Sequence, residues 1–96
     1  MQFFALLRRN TAKFTDADFA PVLPAEAQQR RRLYVEGAAR QVWNRTDLPG
    51  AALMLEAADE PAARSQLATL PLIEAHMREI DALVPLAPYP GFGPAK

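Results

Sequence analysis

Apolar runs and helix-forming stretches alternate along the first half of the chain. Residues 1–9, MQFFALLRR, are apolar and aromatic until RRNT breaks the run, which predicts a buried first strand. Residues 16–36 hold mostly strong helix formers, and Pro24 suits a first helical turn because its missing N–H costs nothing there. Gly37 supplies the left-handed end of this helix. The spacing places these residues on one helix face: Leu23, Ala27, Arg30 and Tyr34.

After Gly37, residues 38–46 alternate with a period of two, which predicts a strand. Ala39, Gln41, Trp43 and Arg45 are expected on one face, and Ala38, Arg40, Val42 and Asn44 on the other. The turn formers TDLPG follow, and the apolar run GAALMLEA at 50–57 has strand length. The pattern therefore predicts an antiparallel hairpin.

A second helix is predicted from Asp59, a good N-cap, with Pro61 in the first turn and an end near TLP. Its expected buried face is formed by Ala62, Ala63, Leu67 and Leu70.

The segment 72–84, LIEAHMREIDALV, fits a helical stripe and a strand equally well by periodicity. Topology favours a strand, because a final strand completes the split βαβ pattern of a ferredoxin-like domain. We therefore predict an α+β fold, βαββαβ with a four-stranded antiparallel sheet, over residues 1–86. The Pro- and Gly-rich residues 87–96 are predicted to be an extended C-terminal arm, in which Tyr89 and Phe92 anchor to a surface.

The length, charge balance and cysteine content of the chain limit the classes of protein to which it can belong. Ninety-six residues suit one domain, and eleven Lys plus Arg balance eleven Asp plus Glu. A zero net charge gives no long-range field for nucleic acid and little repulsion between copies, so we expect no nucleic-acid partner and favour self-association. No apolar run is long enough to cross a bilayer, so no membrane partner is expected. The absence of cysteine fits a cytoplasmic location, and the N-terminus lacks the charge order of a secretory signal, which favours mature sequence.

The residues of this chain support few kinds of catalytic or metal-binding site. No glycine-rich phosphate loop or nucleophile elbow is present, and a lone His76 cannot make a multi-histidine metal site. We therefore expect no metal and no cofactor. His76 beside an apolar run is more often a packing or surface residue than a catalyst. The run RRR at 30–32 is more typical of a solvated helix face than of a phosphate site, and Trp43 is more typical of core or interface.

Glu26 and Arg40 are the candidates with chemical content. A carboxylate held by a helix in an apolar pocket can move protons, and an arginine on a facing strand can fork onto a substrate carboxylate. From their positions alone, both are also compatible with an ordinary surface location.

Two segments carry a resemblance to a known family. EGAARQVW at 36–43 and LATLPLIEAHMREIDAL at 67–83 resemble the muconolactone delta-isomerases, with gapless spacing between them over most of the chain. The resemblance implies a ferredoxin-like subunit that pairs into a dimeric α+β barrel, with dimers gathered into a ring. It also implies that 72–84 is chiefly strand. Members are cofactor-free enzymes of aromatic catabolism that shift a double bond in a small anionic lactone.

The same resemblance implies roles for three residues of this chain. Glu26 falls on the proton-transfer glutamate, Arg40 on an arginine that could bind the lactone carboxylate, and Trp43 on the tryptophan that ends the strand motif, a substrate-binding candidate. The chain departs from the family pattern at Ala39 and Gln41 and, at family tyrosine and asparagine positions, at Pro49 and Ala51.

The leading hypothesis is therefore an isomerase-like enzyme that acts on a small anionic lactone by proton transfer at Glu26. One alternative is a non-catalytic small-molecule-binding or assembly protein on the same barrel, which the changes at Pro49 and Ala51 motivate. The other is a cofactor-independent oxygenase or cyclase, whose mark would be a deep hydrophobic pocket. In each case the expected partners are a small molecule and further copies of the chain.

Overall fold

Four antiparallel strands form the single sheet of the computed structural model, which describes residues 1–92. The strands are β1 (Gln2–Arg9), β2 (Ala39–Asn44), β3 (Gly50–Glu56) and β4 (Arg78–Leu86), in the spatial order β2-β3-β1-β4. The helices are α1 (Asp16–Phe19), α2 (Leu23–Val35), α3 (Glu60–Ala68) and α4 (Pro71–Glu74). This element order and strand order confirm the predicted ferredoxin-like α+β fold.

The main core lies between one face of the sheet and the longer helices. Alternate residues of β1 point into it, and α2 and α3 cover them with Leu33 and Leu67. Asp59 caps α3 by accepting a hydrogen bond from the Ala62 amide at 2.8 Å, as its sequence position predicted. The sheet and helix residues of this core include Phe3, Ala5, Leu7, Leu53, Leu55, Ala63 and Leu70.

The predicted helix over 16–36 is two helices, because Pro21 and Pro24 interrupt it and Pro24 begins a new first turn. The face that Leu23, Ala27, Arg30 and Tyr34 share is not the core face of α2, since Leu23 and Tyr34 are exposed. The buried residues of α2 are instead Glu26 and Leu33, two turns apart on the side that meets the sheet. A carboxylate therefore occupies a position that periodicity would assign to an apolar residue.

The strict alternation predicted for residues 38–46 is broken near the start of β2. Ala39 pairs with Leu55, but Gln41 pairs with the next residue, Met54, so Arg40 is the extra residue of a β-bulge. Because of the bulge, residues after Arg40 point to the opposite face of the sheet from the predicted one, so Ala39 is buried in the core while Gln41 is exposed. The predicted face assignment was therefore wrong beyond Ala39.

The segment 72–84 divides into two kinds of structure. It begins within the short helix α4, whose Leu72 is buried, and β4 occupies its second half. His76 joins them with a φ of 58°, and its amide donates to the Ile73 carbonyl at 3.0 Å, so it ends α4 in a left-handed conformation. The strand predicted here is confirmed, but it is shorter than the segment that the resemblance implied.

The chain beyond β4 is exposed as far as it is described. Pro90–Phe92 form one 3-10 turn, and the rings of Tyr89 and Phe92 meet edge to face at 5.0 Å. Residues 93–96, the end of the predicted arm, lie outside the described residues. Within 1–92 no helix is long and apolar enough to span a membrane.

Candidate active site

Glu26 is a carboxylate enclosed by the fold, with only 1% of its surface exposed. The backbone amide of Leu72 donates to Oε1 at 3.0 Å, and Nε of Arg30 donates to Oε2 at 3.0 Å. Nη1 of Arg78 also donates to Oε2, over a long 3.5 Å. A buried carboxylate is tolerated only when it is paired and hydrogen-bonded, and these three donors come from α2, α4 and β4. The site therefore exists only once the two halves of the chain have met.

Arg78 begins β4 and is itself buried, with its side chain 2% exposed. Burial lowers the pKa of Arg78 to about 10, and the positive charges of Arg30 and Arg9 act in the same direction, while Glu26 opposes them. Arg78 is therefore still charged at neutral pH. Its Nε has no hydrogen-bond partner among residues 1–92.

A cavity of about 330 Å³ lies beside these groups. That volume is at the lower end of the range for small-molecule sites. Leu23 and Ala27 supply apolar lining from α2, and Pro49 and Gly50 contribute backbone from the start of β3. Its polar lining consists of Arg9, Glu26, Arg30, Asn44, Arg45 and Arg78. Four guanidinium groups against one carboxylate make the cavity suited to an anion.

The positive charge of Arg45 is matched by acids outside the cavity. Arg45 pairs with Asp47 at 2.7 Å and with Asp81 at 2.9 Å, and Arg8 adds a contact of 3.3 Å to Asp81. The hydrogen bonds from Arg45 lower the pKa of both carboxyl groups. This network ties the β2–β3 turn to β4 and leaves Arg9, Arg30 and Arg78 as the charges that face Glu26.

Arg40 and Trp43 lie on a different depression, of about 530 Å³, beside Arg31, Tyr34 and the edge strand β2. Both residues are exposed, and the bulge at Arg40 turns its side chain away from the core. Arg30 lines this depression as well as the cavity beside Glu26. The structure therefore brings Arg40 and Trp43 together, and it connects them to Glu26 only through Arg30.

The positions that depart from the isomerase pattern have separate locations. Pro49 lines the cavity, and its carbonyl accepts the Arg9 amide at 2.9 Å. Ala51 is fully buried in the main core. His76 lies on a third depression, of about 680 Å³, which Arg78 also lines.

Arg30 and Arg78 are site residues that the sequence pattern did not predict. Arg30 had a usable signal, because it follows Glu26 by four positions and such pairs meet on a helix. Arg78 had no such signal, since its partner is 52 positions away in the sequence.

Together these features define an α+β protein of ferredoxin-like topology with a buried carboxylate beside an arginine-rich cavity. A crystal structure of muconolactone isomerase at 3.3 Å resolution matches this fold with a TM-score of 0.78. The match covers 100% of this chain and 98% of that chain at 18% sequence identity, so it establishes the shared fold. No protein-family model and no curated protein sequence matches the chain.

Proposed function

We propose that this protein is a cytoplasmic enzyme of the muconolactone isomerase type, which moves a proton and a double bond within a small anionic lactone of aromatic catabolism. The observation that carries the proposal is Glu26, a carboxylate enclosed by the fold that faces a cavity rich in guanidinium groups. Proton transfer needs a base held in place, and an anionic substrate needs positive charge around it.

The hydrogen bonds of Glu26 identify the oxygen that would exchange the proton. A carboxylate oxygen accepts about two hydrogen bonds. Within residues 1–92, Oε2 receives two donors and Oε1 only the Leu72 amide. Oε1 therefore has the remaining capacity to take a proton.

The proposed reaction is balanced without an oxidant or a reductant. Glu26 removes a proton from the saturated ring carbon beside the C=C bond that is conjugated to the lactone carbonyl, and the electron pair of that C–H bond enters the conjugated system to give a dienolate. The protonated Glu26 then returns the proton to the far carbon of the same system, and the double bond shifts. The guanidinium group of Arg30 stabilises the negative charge that develops on the lactone carbonyl oxygen.

Arg40 and Trp43 are proposed to bind the part of the substrate that extends beyond the cavity. Support comes from Arg30, which lines both the cavity and this depression, so the two surfaces adjoin. Trp43 offers an apolar ring, and Arg40 offers a planar donor edge.

An absorbance assay with muconolactone and purified protein tests this function. Glu26→Gln is expected to lower the turnover rate by about a hundredfold or more, because the proton acceptor is lost while the side chain keeps its size. Since the change also weakens the fold, circular dichroism establishes that the assayed variant is folded. Glu36→Gln, an exposed change at the end of the same helix, serves as the matched control and is expected to keep full activity. Absence of turnover in the wild type, or equal rates in wild type and Glu26→Gln, rejects the proposal.

A second candidate is a binding protein in which Glu26 is only the counter-ion of two arginines. The observation that favours it is the full engagement of Oε2 with Arg30 and Arg78. In that case the wild type binds small carboxylates and turns over none of the lactone. The oxygenase or cyclase alternative calls for a deep apolar pocket, and the charged lining of the cavity gives it no support.

We also propose that two copies pair through the open face of the sheet. Aligned residues across the strands form an apolar row, in which Met54 pairs with Phe4 and Phe4 with Val84. The neighbouring row joins Ala52, Leu6 and Ala82, and neither row belongs to the core beneath the helices. The arm at 87–96 is proposed to contact a neighbouring subunit through Tyr89 and Phe92, both of which are exposed.

A further inference from the structure

Arg78 lines the cavity beside Glu26 and has a buried donor that the described residues leave unpaired. Its Nη1 contacts Glu26, while Nε is buried and lacks a hydrogen-bond partner in the part of the chain that is described. Buried donors in folded proteins are nearly always paired, so an unpaired one calls for an explanation. The Nε and Nη2 groups form the edge of a guanidinium that binds a carboxylate through two parallel hydrogen bonds.

The charge around Arg78 is not balanced by the protein. Arg9, Arg30 and Arg78 face one another closely enough that the first two disfavour the charged form of the third. Glu26 is the acid paired with Arg30 and Arg78, and Arg9 has no acidic partner within residues 1–92. One further anion would halve the remaining positive charge of this group.

Arg9 is held where it can contribute to such a site. Its guanidinium carbon lies 4.8 Å from the ring centroid of Phe19, a buried residue of α1. A cation over an aromatic ring is attracted to it, and the ring limits where the guanidinium can go. Arg9 and Arg78 both line the cavity, and Asn44 adds an amide to the same lining.

We propose that Arg78 and Arg9 form a subsite that binds the carboxylate of a small organic acid inside the cavity beside Glu26. The inference rests on the proposed function, for which it places the substrate carboxylate. When the ligand binds, the long 3.5 Å hydrogen bond between Arg78 and Glu26 breaks first. A modest shift of the guanidinium then brings Nε and Nη2 to the ligand. Arg40 then contacts the far part of the substrate rather than its carboxylate.

The test measures binding by calorimetry with levulinate, a small keto acid, and its neutral amide levulinamide. The wild type is expected to bind levulinate about tenfold or more tightly than the amide, which corresponds to one charge-assisted hydrogen bond. Arg78→Lys keeps the charge but removes the planar edge, and Arg9→Gln removes the second cation. Each is expected to lose most of this preference, whereas Arg64→Gln, on the exposed surface of α3, keeps it.

Three results overturn the inference. They are equal binding of levulinate and levulinamide by the wild type, an undiminished preference in both variants, or a preference that disappears in Arg40→Gln and persists in Arg78→Lys. Circular dichroism of each variant establishes that it is folded, and Arg9→Gln, at a partly exposed position, keeps the test decisive if Arg78→Lys does not fold. Turnover of muconolactone is measured separately, so a protein that prefers levulinate but lacks turnover rejects the enzyme and supports the subsite.

Discussion

Glu26 on α2 and Arg78 on β4 are 52 positions apart in sequence, and they meet as an ion pair with both side chains almost fully buried. Burying two charges is costly, and a chain that needed only a stable core would gain as much from two apolar residues at these positions. The pair also borders a cavity with surplus positive charge. Its position is therefore best explained by the ligand chemistry proposed for the site.

The stability of the fold is expected to depend strongly on this pair. Glu26→Gln leaves Arg78 and Arg30 without their carboxylate, so the free energy of unfolding should fall by about 3–5 kcal/mol. Urea denaturation measures the change. As a control, Glu60→Gln breaks the exposed pair with Arg64 and should cost no more than about 0.5 kcal/mol. Equal effects of the two changes would contradict the account of the buried pair.

A double variant distinguishes the cost of an unpaired buried charge from the cost of altered packing. In Glu26→Leu with Arg78→Met both fully buried charges are removed, and only Arg30, which is partly exposed, loses its partner. Much of the stability lost in Glu26→Gln should therefore return. The same denaturation experiment tests this, and a double variant less stable than Glu26→Gln would show that the pair contributes more than it costs.

Low pH should weaken the ion pairs that Arg45 forms with Asp47 and Asp81, because it protonates these two carboxyl groups. Hydrogen bonds from Arg45 lower the pKa of both carboxyl groups in the folded state, while the unfolded chain titrates near pH 3.9. Their contribution to stability is therefore complete above about pH 4 and is lost as the pH falls through the lowered values of the folded state. Unfolding curves at several pH values between about 5 and 2 should show a smaller loss for Arg45→Gln than for the wild type. Parallel losses in the two proteins would refute this linkage.

Gly37 should tolerate only residues that accept a left-handed backbone. Its φ is 81°, and a Cβ there would meet no atom within 4 Å, so the cost of substitution comes from the backbone alone. Gly37→Ala is expected to lower the free energy of unfolding by about 1–2 kcal/mol, and Gly37→Asn by less. Thermal unfolding of the two variants gives the comparison, and a more stable Ala variant would argue against this explanation.

Self-association should depend on the open face of the sheet. Val84 is 44% exposed beside Phe4, so Val84→Glu places a charge in the apolar row and should shift the protein toward monomer. Light scattering measures the molar mass of each variant in solution. Ser65→Glu, at an exposed position of α3, adds the same charge outside this face and should leave the mass unchanged. A wild type that is monomeric at micromolar concentration would rule out the proposed pairing.

Local signals in the sequence were sufficient for much of the fold. Gly37 ends a helix and Asp59 begins one, because a left-handed backbone and an N-cap each depend on a single residue and its immediate neighbours. The resemblance also directed attention to Glu26, which the fold buries. It did not indicate which residues would surround that carboxylate. The bulge at Arg40 could not be predicted from the sequence, because an extra residue is defined only by the pairing with the partner strand.

The sequence by itself determined the first three strands and the two longer helices, since hydrophobic spacing, helix ends and turn residues act over a few positions. The last strand was predicted only from the topology that it completes. Only the tertiary structure decided where the charges gather. A chain with zero net charge concentrates Arg9, Arg30 and Arg78 around one carboxylate because β1, α2 and β4 meet there. Electrostatic interactions depend on distance in space, and the sequence contains no measure of that distance until the sheet has formed.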